Sequence, residues 1–121
     1  MINIDVVETI KLNFEKIKNL KENWDGNKAV PFNLDFVNSV ETVVLKLDLM
    51  PDIFPTANGT IQIEYEEETK YLEFEFSEEG LNKNEVSVFC KWGQNKEVEF
   101  KLTSENMVEG INLLLEGFQL L

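Results

Sequence analysis

The chain has 121 residues and a formal charge of −12, from 23 Asp and Glu against 11 basic residues; every basic residue is lysine, and arginine and histidine are absent. Without imidazole there is no ordinary general acid or base near neutral pH, and without guanidinium there is no bidentate clamp for phosphate or carboxylate. The negative field also repels DNA, RNA and anionic lipid surfaces, while 43% hydrophobic content suffices for a packed core and argues against disorder.

From Asp5 to about Asn23, Val7, Ile10, Phe14, Ile17, Leu20 and Trp24 recur at three- and four-residue steps, which predicts an amphipathic helix. Asp5 and Glu8 have the spacing of a capping box at its start. The string Trp24-Asp25-Gly26-Asn27-Lys28-Ala29-Val30-Pro31 predicts a tight turn, because Gly26 and Asn27 tolerate positive φ and Pro31 cannot continue a helix. Asn33 is placed to cap a second helix running to about Leu49, with Phe36, Val40, Val43, Val44 and Leu47 inward; Pro51 ends it. Residues 51–59, with two prolines and Asn58-Gly59, read as an ordered connector.

Strand alternation follows, with inward sets Ile61, Ile63, Tyr65; Leu72, Phe74, Phe76; Val86, Val88, Cys90, Trp92; and Val98, Phe100, Leu102. Matching the first two sets pairs Tyr65 with Leu72, Ile63 with Phe74 and Ile61 with Phe76. Glu68-Thr69 is then a two-residue loop that Glu67 and Lys70 close as an ion pair. The hairpin at Gly93–Lys96 is equally short, and residues 77–85 form a longer loop. Thr103 or Ser104 opens a C-terminal helix with a wide apolar arc, Met107, Val108, Ile111, Leu114, Leu115 and Phe118. The prediction is one α+β domain over 1–121: two N-terminal helices, a four-stranded antiparallel meander and a C-terminal helix lying on the sheet.

With those residues inward, Gln62, Glu64, Glu66, Tyr71, Glu73, Glu75, Ser87, Phe89, Lys91, Glu97, Glu99 and Lys101 share the other face. The meander sets Glu64 opposite Glu73 and Glu73 opposite Phe89. Opposed like charges and an exposed phenylalanine both cost stability in a free monomer, and both make sense beneath a partner. Glu64, Glu66, Tyr71, Glu73, Glu75, Phe89, Glu97 and Glu99 are therefore the candidate partner-binding residues, Phe89 and Tyr71 serving as anchors. The competing reading is a solvated face whose charge keeps the sheet edges unpaired.

No cofactor, metal site or catalytic set is expected. Alternate strand residues point in parallel about 6.8 Å apart rather than converging on an ion, and no calcium-loop or zinc spacing occurs. Cys90 alternates inward as a buried thiol with no histidine to activate it. It also has no second cysteine to bond with. A lone cysteine, an N-terminus unlike a signal peptide and the lack of an apolar run of about 20 residues point to a cytoplasmic location away from membranes.

Trp24-Asp25-Gly26, then Ala29 and Pro31 before a helix, Pro55, and the strand start Asn58-Gly59-Thr60-Ile61-Gln62-Ile63-Glu64-Tyr65 resemble a loosely defined group of small, mostly uncharacterised bacterial proteins. That group has a Trp-Asp-Gly-x-x-Ala-x-Pro turn followed by an Asp-Gly-x-Ile strand start leading to Glu-Trp; here Asn58 stands for the Asp and Tyr65 for the Trp. The resemblance implies a bacterial or phage origin and brings no catalytic residues. The functional expectation is a non-catalytic protein that engages a basic protein partner through its acidic sheet face: an antitoxin, an immunity protein, or a phage inhibitor imitating nucleic-acid charge. The alternatives are a homodimer seamed by the C-terminal helix at Leu113-Leu114-Leu115 and Leu120-Leu121, and, further off, a carboxylate-based cation-dependent enzyme.

Overall fold

A computed structural model describes residues 4–121. Helix α1 runs Ile4–Lys18 and buries Ile10, Phe14 and Ile17. Asp5 sits within its first turn, where a carboxylate favours the helix dipole, so it is not the expected cap. The helix stops well short of Asn23 although the apolar spacing continues. The amides of Asn19 and Leu20 turn back onto Glu15, Lys16 and Ile17 carbonyls, and Asn23 adopts φ 61°, a left-handed conformation that asparagine tolerates.

Helix α2, Leu34–Leu45, starts as expected at Asn33, whose side chain accepts from the Phe36 amide at 3.2 Å. It ends before Leu49 because the Lys46 amide bonds back to Val43 and the Leu47 amide to Val44, yet Leu47 remains buried. The segment expected to be a connector contains strand β1, Asp52–Pro55, which pairs antiparallel with β2, Ile61–Glu67. The reversal between them is closed by Thr56 N–H to Thr60 O at 2.9 Å and by a 2.6 Å contact between the two threonine hydroxyls. Prolines are tolerated here because β1 is an edge strand and needs fewer ladder donors.

Strand β3, Lys70–Phe76, pairs with β2 in the expected register: Tyr65 opposite Leu72, Ile63 opposite Phe74, Ile61 opposite Phe76. The expected loop at 77–85 holds a short helix, α3, Glu78–Asn82, capped by the Ser77 hydroxyl accepting from the Gly80 amide at 2.9 Å. Strands β4, Glu85–Trp92, and β5, Lys96–Thr103, complete a five-stranded antiparallel sheet in the order β1-β2-β3-β4-β5. The fold is thus α+β with four helices and five strands, one helix and one strand more than expected.

Helix α4, Met107–Gln119, is capped by Asn106 rather than Thr103 or Ser104. Thr103 is still paired opposite Glu85, and Ser104 donates its amide to Asn84, so the chain is not free to turn until Asn106. Helix α2 packs against both α1 and α4, and α4 lies against β5. A side chain at Gly110 would come within 3.1 Å of Ser104 and 3.3 Å of Leu102, so its absence lets α4 approach the end of β5; Gly117 faces open space. The inner-face residues of β2, β3 and β4 and the buried stripes of α1, α2 and α4 form one core, in which Phe14, Phe74 and Phe76 are fully enclosed.

The inward assignment of β5 requires correction. Val98 and Phe100 lie on the core side, opposite Cys90 and Val88, but remain 41% and 37% exposed, whereas Leu102, beside α4, packs against the core.

Candidate functional site

The pairing register arranges the outer face in rows running across the strands. The central row is Asp52, Glu64, Glu73, Phe89 and Glu99, one residue from each strand, so four carboxylates and one aromatic cross the whole sheet. Neighbouring strands lie about 4.8 Å apart, which sets the pitch of the row. On one side runs Phe54, Gln62, Glu75, Ser87 and Lys101, and on the other Glu66, Tyr71, Lys91 and Glu97. The buried residues of α1, α2 and α4 all belong to the core on the opposite side.

The expected opposition of Glu64 and Glu73 is present, and Tyr71 relieves it. Its hydroxyl lies 2.7 Å from a carboxylate oxygen of each glutamate. One phenolic proton cannot satisfy two carboxylates fully, so negative charge at this point is shared rather than neutralised. Burial first, then the hydrogen bonds and charges of Glu64 and Glu73, push the Tyr71 phenol far above its ordinary range. Glu75 accepts from the Gln62 side chain at 3.1 Å, and Glu97 stands opposite Lys91. Glu66, Glu97 and Glu99 are exposed, while Glu64, Glu73 and Glu75 are half-buried by their neighbours.

All eight residues picked out from the sequence therefore lie on one face. Phe89 is less available than expected: its ring is half-buried and leans on Tyr71, with centroids 6.2 Å apart. The exposed aromatic of this face is Phe54, 47% accessible at the β1 edge. Phe54 and Asp52 fall outside the expected strands because prolines bracket their segment. The signal that could have found them is the alternation Asp52-Ile53-Phe54-Pro55 across from Ile61-Gln62-Ile63-Glu64. A shallow depression of about 600 Å³ opens at the hairpin end of the face, where Glu66, Tyr71, Glu73 and Phe89 meet Lys91 and Lys96. Among the described residues, no three carboxylate or thiol groups converge in a way that could hold a metal ion.

Elsewhere, chemistry-bearing groups are engaged internally. The Asp25 carboxylate accepts from the amides of Asn27 at 2.8 Å and Ala29 at 3.0 Å, and Gly26 takes φ 77°. The Asn27 bond foremost, with Ala29 adding to it, lowers the Asp25 carboxyl below its usual range. The Trp24 indole donates to Val30 O at 3.0 Å, and its ring sits 6.2 Å from that of Phe32. The Trp24-Asp25-Gly26 turn is thus built as a structural element. Cys90 is buried, and burial raises its thiol against the opposing pull of the Lys70 ammonium. The C-terminal arc expected as a dimer seam is largely spent on the core: Ile111, Leu115 and Phe118 are buried and Leu114 packs beside them, leaving Leu113, Leu120 and Leu121 exposed.

No family model matches this chain, and no curated protein or solved structure matches it either.

Proposed function

We propose that this chain is a non-catalytic binding protein whose outer sheet face docks on a basic surface of another protein, in the manner of an antitoxin, an immunity protein or a phage-encoded inhibitor. The observation that carries this reading is the central row: carboxylates on β1, β2, β3 and β5 with Phe89 on β4 among them, Phe54 and Tyr71 alongside, and the buried stripes of α1, α2 and α4 all on the opposite side. A lysine- or arginine-rich surface meets there both fixed charge and apolar anchors. Glu64 and Glu73 share one phenolic proton, so an arriving cation adds charge-assisted hydrogen bonds to both. The net charge of −12 steers a basic protein toward the face and turns nucleic acid away. We place the protein in the cytoplasm, in keeping with its single unpaired cysteine. Among the described residues no helix is long and apolar enough to cross a membrane.

The test is affinity capture from the native host with the wild type and with the triple variant Glu64→Lys, Glu73→Lys, Glu99→Lys. The wild type is expected to retain a basic protein at low salt and release it as salt rises, because screening weakens charge pairs at a rim. The folded triple variant is expected to retain nothing. Equal capture by both would move the site off this face.

A further inference from the structure

The two edges of the sheet are built differently. Edge β1 has four residues and ends in Pro55, a blunted edge that resists pairing. Edge β5 has eight residues, no proline and an unbroken register with β4 from Glu85–Thr103 to Trp92–Lys96, so it carries no bulge. It also leaves Val98 and Phe100 uncovered on the core side. A long, straight edge with unpaired backbone groups and exposed apolar side chains is a template for another strand.

We infer that a second copy of this chain occupies that edge, β5 pairing antiparallel with β5 about a two-fold axis through Phe100. The argument is charge complementarity. Faces and backbone groups match only when paired positions are both even or both odd, which leaves few registers. With Phe100 opposite its own copy, Val98 meets Leu102, Glu99 meets Lys101 and Glu97 meets Thr103, each contact occurring twice by symmetry. Shifting by one step in either direction places Glu99 against Glu99 or Lys101 against Lys101. The Glu99-centred register also joins Glu97 to Lys101, so only the register centred on Phe100 joins opposite charges on the outer face without opposing like ones, while keeping apolar residues together on the inner face. Charges that deter edge pairing in general here select one partner. Among the described residues Glu99 has no ion pair within the monomer, and Lys101, reaching Glu85 at 3.3 Å, stays 68% exposed. The result is a ten-stranded sheet with both outer faces on one side.

Sedimentation or light scattering on purified protein tests this, independently of any basic partner. The wild type is expected to show twice the 14.0 kDa chain mass at high concentration. Glu99→Lys and Lys101→Glu each replace two attractive pairs with two repulsive ones and are expected to weaken self-association about ten- to thirtyfold. The double swap Glu99→Lys, Lys101→Glu restores opposite charges and recovers the dimer. Mixing the two single variants yields a heterodimer, because each supplies the charge the other lacks. A wild type that stays monomeric, single variants that dimerise like the wild type, or a folded double swap that fails to recover would each overturn the inference. Should any variant misfold, amide exchange of the wild type decides: alternate β5 amides must gain protection as concentration rises, and unchanged exchange refutes the pairing.

Discussion

Tyr71 and Tyr65, the two tyrosines of the chain, are both held in their neutral form. Tyr71 lies between two glutamates, while Tyr65 is buried, donates to Leu49 O at 2.8 Å, and is raised by burial first and then by the Asp48 carboxylate. A phenol whose folded value exceeds its unfolded one contributes stability below about pH 10, and that contribution is lost as pH climbs beyond it. The near-ultraviolet phenolate signal is therefore expected to stay flat past about pH 10 and to rise only with alkaline unfolding; an ordinary titration in the folded state would contradict this geometry. Lys70 is a second residue-level case. Its expected pair with Glu67 forms at 3.4 Å, but the ammonium also donates to Phe118 O at 2.7 Å and sits 4.7 Å from the Phe118 ring centre, closing the C-terminus of α4. Lys70→Met is expected to lower unfolding stability by about 1–2 kcal/mol in urea titrations. The hairpin pair was legible because both partners sit in one local turn. The contact to α4 spans 48 positions and left no local trace.

At the scale of elements, what could be read was what local periodicity encodes. The β2–β3 register followed from matching two apolar alternations around a two-residue loop, and it placed Glu64, Glu73 and Tyr71 correctly. Both N-terminal helices end earlier than their apolar spacing predicts, at Lys18 and Leu45, where the following amides bond back onto the last turn. Strand β1 was hidden because four residues give too little alternation to outweigh two prolines. The exposure of Val98 and Phe100 depends on tertiary packing, which no local pattern states. One helix position offers a clean check. A side chain at Gly117 meets nothing within 4 Å, so Gly117→Ala is expected to stabilise the protein by about 0.5–1 kcal/mol through helix propensity alone. Thermal melting measures this directly.

For the whole molecule, the charge of −12 on 14.0 kDa makes the free protein self-repelling, and the seven glutamates at outward strand positions, Glu85 among them, concentrate that repulsion around two lysines. Raising salt from about 10 mM to about 1 M shortens the screening length from roughly 30 to roughly 3 Å. The melting temperature of the free protein is expected to rise over that range while its hold on a basic partner falls. These opposite responses separate a face that awaits a cationic surface from one that only keeps the molecule dispersed. The central claim is that the outer sheet face meets the partner. Its most direct test places a photoreactive phenylalanine analogue at Phe89, or at Leu12 on the opposite, helical side, in the native host. The account predicts a cross-link to one basic protein from position 89 and none from position 12; cross-linking from position 12 with silence at 89 would contradict it.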